Sequence, residues 1–179
     1  MSGLDPILAR VLARAFGSIC TEMGSAMIRT AVSAVFVEGR DFSCALLDDR
    51  AELVAAANYD PSHLSAMALT AEYALMELGW ETLAEGDVIV VNDPYRGGGH
   101  LTDIAVIRPI VVDGEVLALA MNRGHHIDVG GMATWQAGGE DRAPNMAQIR
   151  QVQFNEDGTY EFVVIEDFFE LPDTRPPAE

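Results

Sequence analysis

Three of the chain's four histidines fall in two short glycine-rich stretches, "NDPYRGGGHLTD" (92–103) and "NRGHHIDVGG" (122–131). His100 and Asp103 stand three residues apart, close enough to grip one ion where the backbone turns. His125 lies at the end of a strand expected to pair with the one that begins at Asp103. Two imidazoles and a carboxylate, with positions left for water or substrate, suit a catalytic divalent ion such as Mn, Fe or Zn; a closed structural site would want four protein ligands. The same residues also fit histidines that are merely hydrogen-bonded within loops, and spacing leaves both readings open.

The neighbours add further candidates. Successive strand residues point to opposite faces, so only one of His125 and His126 can face an ion. Asp128 is placed to hold an imidazole in the right tautomer. Together with Asn92 and Asp93, His126 and Asp128 are the candidate catalytic groups. Gly97, Gly98 and Gly99 allow backbone shapes closed to other residues and let a ligand approach the chain, so they are candidates for substrate binding. The run lacks the spacing of a dinucleotide fingerprint and is not a Walker loop. His63, in "DPSHLSAM", either caps and packs at a helix start or faces substrate.

These residues need a scaffold. Ile7, Leu8, Val11, Leu12, Phe16, Ile19, Met23 and Met27 recur at three- and four-residue steps, which predicts a helix over 5–34 with Asp5 as cap and Pro6 in the first turn. "DFSCALL–DDRAE–LVAAA" (41–57) reads as a hairpin, and Ser62 precedes a second helix over 63–78 closed by Gly79. Strands follow at 87–91, 103–112 and 115–121, the last two joined by a tight "DG" turn. Residues 129–147 read as irregular; a final hairpin, "IRQVQF–NEDG–TYEFVVI", precedes a Pro-rich tail. The expected class is α+β, a mixed sheet with helices on one side, divided into a domain over 1–135 and an acidic hairpin and tail over 136–179.

Composition narrows the function. A formal charge of −17 argues against nucleic acid and against anionic membrane surfaces. No apolar run reaches the roughly 18 residues of a membrane span, and the start lacks a secretory signal, so a cytoplasmic location is expected. All eleven basic residues are arginines. Without lysine there is no Schiff-base chemistry and no Walker lysine, so any ATP must be bound by another polypeptide. Cys20 and Cys44 sit in apolar stretches and read as buried, inert thiols. Acids crowd 140–179, which reads as a solvated surface or as a contact for a partner subunit.

Five blocks in order give the chain a resemblance to the amino-terminal part of the hydantoinase B/oxoprolinase family, which includes subunits of acetone and acetophenone carboxylases. They are "EMGSAMIRTAVS" (22–33), "EGRDFSCALLDD" (38–49), "PSHLSAM" (61–67), "GDVIVVNDPYRGGGHLTDIAVIRP" (86–109) and "NRGHHIDVGGM" (122–132). The resemblance implies a hetero-oligomer with a hydantoinase A-like ATP-binding subunit and with the remainder of a B-type subunit. In the carboxylase branch it implies a divalent metal on a His-x-x-Asp pair and a later histidine, positions that fall on His100, Asp103 and His125. "GGGH" stands here where "GGTH" is commoner. The implied function is the metal half of an ATP-dependent enzyme that hydrolyses a cyclic amide. The alternatives are a subunit of a ketone carboxylase, a non-catalytic assembly subunit, and a non-haem iron oxygenase built on the same three ligands.

Overall fold

The computed structural model describes residues 5–57 and 59–127 and the strands 148–154 and 160–167. Helix α1 (Pro6–Thr30) starts as expected, with the Asp5 carboxylate accepting the Ile7 N–H at 2.8 Å. It stops four residues earlier than expected. Ala31 is extended, and a single π turn over Val35–Gly39 carries the chain into strand β1 (Phe42–Leu47). That turn buries Phe36 against Phe42, ring centroids 5.9 Å apart, which an uninterrupted helix would not do. Strand β2 (Leu53–Ala57) closes the first hairpin. Helix α2 (Pro61–Leu78) begins two residues before the expected start, because Asp60 rather than Ser62 supplies the cap and Pro61 fits the first turn.

Strands β3 (Val88–Val91), β4 (Asp103–Val112) and β5 (Glu115–His125) follow. Asp113 and Gly114 both take positive φ in the β4–β5 turn, as a tight hairpin of right-handed twist demands. Strand β5 runs to His125 rather than ending at Met121. It is hydrogen-bonded to β1 on one side and β4 on the other, and both ladders extend into 122–125. The stretch 122–125, read above as loop, is therefore strand. Strands β6 (Gln148–Phe154) and β7 (Tyr160–Asp167) form the expected last hairpin, and β6 adds to the free edge of β3. The expected irregular stretch and Pro-rich tail lie outside the described residues.

The seven strands lie in the order β2-β1-β5-β4-β3-β6-β7. The α+β class holds, but every pairing among them is antiparallel, so the sheet is not mixed. Neighbours joined by short connections, as β1–β2 and β4–β5 are, can pair only this way, since parallel neighbours need long crossovers. Nor do the helices share one side. Strand β1 is buried at all six positions. Ala45 and Leu47 pack with Met67, Ala71 and Ala74 of α2, whereas Phe42 and Cys44 pack with Met23 and Met27 of α1. Apolar side chains on both faces of one strand require cover on both faces. Cys20 and Cys44 are both buried, and burial pushes the Cys44 thiol up to about 12, so it is inert as expected. No helix among the described residues is long and apolar enough to cross a membrane.

The two glycines of α1 give a test of this packing. A side chain at Gly17 meets nothing, whereas a Cβ at Gly24 runs into the Tyr59 ring, itself stacked 4.6 Å from Phe42. Gly17→Ala should stabilise the protein by about 0.5–1 kcal/mol through helix propensity. Gly24→Ala should destabilise it by about 1–3 kcal/mol through overpacking. Urea unfolding midpoints of the two variants should therefore move in opposite directions.

Candidate metal centre

The site forms where β4 begins and β5 ends. Asp103 and His125 are direct register partners, so their side chains leave the same face of the sheet. His125 Nδ1 lies 2.7 Å from Asp103 Oδ1. His100 is brought in by a tight turn in which Asp103 Oδ2 accepts the His100 N–H at 2.7 Å and the His100 carbonyl accepts the Asp103 N–H at 3.0 Å. The His100 imidazole then stands with Nδ1 3.5 Å from Oδ2 and its ring edge-on to His125, centroids 5.1 Å apart. One ligand atom from each of the three residues falls within 4.8 Å of the others. Two imidazole nitrogens and a carboxylate oxygen in that space are the donor set of a divalent transition metal, so the residues fit such an ion. Asp103 is buried, His125 is half-buried, and the His100 side chain is 70% exposed, which leaves the outer side open.

Asp103 holds its charge against its surroundings. Burial alone would raise its pKa, but the His100 amide, the His125 imidazole and the Arg123 guanidinium together bring it below the ordinary carboxylate value. Arg123 points the same way as His125, two residues on along β5. It is 2% exposed, donates to Asp103 Oδ2 at 3.1 Å and also donates to the Gly97 carbonyl. In the sequence only the i, i+2 relation to His125 hints at the place of this arginine, and Asp41 carries no local signal. Asp41 immediately precedes β1, its carbonyl accepts the His125 N–H at 3.0 Å, and its carboxylate pairs with His63 Nε2 at 2.8 Å. Asp41, Asp60 and His63 make a second group whose polar atoms lie within 4.8 Å of one another. His63 thus packs against the strand end that carries His125, buried from the N-terminal turn of α2.

The glycine loop is fastened rather than open. Gly97 has φ +86° and lies on α2, where a Cβ would come 2.6 Å from Thr70 Oγ1 and 2.8 Å from Thr70 N. At Gly98 a Cβ would collide with the Asp93 carbonyl and Pro94. At Gly99 it would sit 2.6 Å from Asp103 Oδ2. The three residues therefore serve close packing around the loop and the carboxylate. Asp93 is buried and turns the loop: its carboxylate accepts the Tyr95 N–H at 2.8 Å, and its carbonyl accepts the Arg96 and Gly98 N–H groups. Burial raises its pKa, opposed by that Tyr95 N–H. Arg96 pairs with Glu77 of α2 and lies 3.4 Å from Asp93. The Asn92 side chain donates to the Leu101 carbonyl at 3.2 Å.

His126 turns to the opposite face. It sits edge-on to Phe36 at 5.0 Å and lines an open, largely apolar groove of about 570 Å³ with Met27, Ile104 and Val106. Burial, then the charge of His125, lowers its pKa, against the pull of Asp103. The structure thus brings His100, Asp103 and His125 together with Arg123, sets His63 beside them, and directs His126 away. Asp128 lies outside the described residues.

The buried Asp103–Arg123 pair has a pH signature. The folded-state pKa of Asp103 lies below its ordinary value, so its contribution to stability is present above pH 3.8 and is lost as pH falls through the folded value. With chelator present, Asp103→Asn should cost about 3–5 kcal/mol at pH 7, because it leaves Arg123 buried without its counter-charge. The gap between wild type and variant should narrow as the pH drops below 3.8. Urea titrations at a series of pH values measure it.

Comparison with known proteins agrees with this architecture. A family model described as hydantoinase B/oxoprolinase matches residues 5–175. The 5-oxoprolinase of Dictyostelium discoideum is 40% identical over 131 residues, covering 72% of this chain and 10% of that protein. The crystal structure of the ATP-dependent caprolactamase from Pseudomonas jessenii superposes with a TM-score of 0.66 at 32% identity, over 73% of this chain and 22% of that one. A nucleotide-free acetone carboxylase superposes with a TM-score of 0.65 at 22% identity, over 70% of this chain and 17% of that one, a likeness of fold. The chain spans about a tenth of the length of the curated 5-oxoprolinases it matches. By sequence and by fold it belongs to the hydantoinase B/oxoprolinase family.

Proposed function

We propose that this chain is the metal-holding part of an ATP-dependent enzyme that hydrolyses a cyclic amide of the hydantoin, oxoproline or lactam type. The convergence of His100, Asp103 and His125 at adjoining strand ends carries this reading. Its support from relatives is chemical: 5-oxoproline and caprolactam are both cyclic amides, and proteins named for acting on them share 40% and 32% identity with this chain. The likeness to acetone carboxylase speaks to fold alone, so hydrolysis is preferred over ketone carboxylation.

His100, Asp103 and His125 would hold a divalent ion of manganese, zinc or iron. Such an ion supplies Lewis acidity, polarising a substrate oxygen or lowering the pKa of a bound water. The chain's own residues do the positioning. Asp103 stays ionised despite burial, His125 is fixed by its carboxylate contact, and His100 faces the open side where a small molecule can arrive. Asn92 and Asp93 hold the loop that carries His100, and Gly97, Gly98 and Gly99 let that loop lie flat on α2 and Asp103. His63 orients Asp41 behind His125. No Walker lysine stands among these residues, so ATP would be bound outside them, by a hydantoinase A-like partner. The remainder of a B-type fold completes the site in a hetero-oligomer, and the acidic stretch 136–179 serves as a subunit contact.

The test uses the intact complex from its native source. It should contain about one transition-metal ion per copy of this chain and open a cyclic amide only with ATP. His100→Ala, Asp103→Asn and His125→Ala should each lose the metal and reduce ring opening by more than about 100-fold, since loss of a ligand exceeds loss of an outer partner. A metal-free complex that retains full ATP-dependent activity would sink the proposal. A metal-free, inactive complex would favour an assembly role.

A further inference from the structure

We infer that Arg123 is a positioning residue: it presents Asp103 to a bound cation through Oδ1 and fastens the glycine loop to the same strand. The inference rests on the metal reading above. Arg123 is among the largest fully buried side chains described. A guanidinium has five donors and no acceptor, and it does not shed its charge, so a buried one needs carboxylate and carbonyl partners. Here those partners are Asp103 Oδ2 at 3.1 Å and the Gly97 carbonyl.

Asp103 Oδ2 also accepts the His100 amide at 2.7 Å. A carboxylate oxygen offers about two lone-pair directions, and two fixed donors fill both on Oδ2. Oδ1, 2.7 Å from His125 Nδ1, keeps capacity for a cation. The surroundings are shaped to the same end. Ala105 is the register partner of Arg123, and a small residue there lets the guanidinium run across toward Asp103. Gly99 leaves room beside both groups, since a Cβ would lie 2.6 Å from Oδ2 and 3.4 Å from Nη2. One side chain therefore orients the carboxylate and ties down the loop that bears His100. Ligands on two separate segments are held in register before any ion arrives.

The experiment uses the complete complex, stripped of metal and titrated with Mn²⁺, free ion being read by its electron paramagnetic resonance signal. Measurements are made well below each variant's melting temperature. Arg123→Met should bind Mn²⁺ about 10- to 100-fold more weakly, the usual consequence of losing an outer partner. The bound-ion spectrum should broaden as the carboxylate gains freedom. Arg123→Lys keeps the charge but not the fork, and should recover part of the affinity. It also decides the matter should the methionine variant not fold, because Mn²⁺ affinity equal to wild type in the lysine variant overturns the inference. Equal affinity in Arg123→Met, with only the melting temperature lowered, overturns it too and leaves the metal reading intact. Wild-type complex that binds no divalent ion overturns both.

Discussion

Asp103 is buried at the first position of β4, with the His100 amide, the His125 imidazole and the Arg123 guanidinium turned toward it. Withdrawing a carboxylate from water is costly, and burial by itself favours the protonated form. The three donors outweigh that tendency. The arrangement constrains much else. It requires β4 and β5 to pair in the register that sets Asp103 opposite His125. It requires the chain before β4 to turn tightly enough to offer the His100 N–H. It requires glycine at position 99, where a side chain would press on the carboxylate. And it requires a cation from the interior, since a buried charge left unmatched would cost several kcal/mol.

The sheet separates two kinds of surface by the alternation of its strands. On one face Ile107, Leu119 and Met121 lead along β4 and β5 to Arg123, His125 and Asp103, and α2 covers that face. On the other face Ile104, Val106 and His126 border an open groove beside α1 and Phe36. Strand β1, buried on both sides, is the element the two layers share. At Gly124 the sheet lies close against the α1 side, for a Cβ there would collide with the Phe36 ring and lie 3.0 Å from Phe42 Cβ. The two adjacent histidines illustrate the division. His125 joins a charged cluster, and His126, one residue on, meets an aromatic edge.

Local signals made much of this legible. Asp5 with Pro6 and Asp113 with Gly114 declare a helix start and a hairpin through chemistry confined to a few residues. The His100–Asp103–His125 set was legible because one hairpin spans it, so that a single register decides whether the three meet. What stayed hidden depends on partners distant in sequence. Arg123 looks like a surface arginine until the loop carbonyl of Gly97 is brought to it. Asp41 acquires its place because β1 pairs with β5, and nothing near Asp41 announces that pairing. Strand β5 runs past the end that its sequence suggests for a related reason. Asn122 to Gly124 read as a loop by composition, but neighbours on both sides impose strand, as tertiary context commonly does. The placement of helices on both faces lies in the six apolar or small residues of β1, a pattern visible in sequence and easily read as a half-buried hairpin.

Three successive glycines suggest a loop that a ligand approaches, yet here their lack of side chains is used against protein atoms. Gly97 rests on Thr70, Gly98 on Asp93 and Pro94, and Gly99 on Asp103. With Arg96 tied to Glu77 and Arg123 tied to Gly97, the loop is anchored to α2 and to β5 at once. A loop so fastened holds His100 near its partners without paying ordering entropy when an ion or substrate arrives, which is the advantage of a preformed site. The cost is that the described residues enclose the cluster from one side only. The α2 face is filled, and His100 remains 70% exposed. On the inner side Asp103 stays charged and within 2.7 Å of the His125 imidazole, and the outer side of His100 is left open by the described residues.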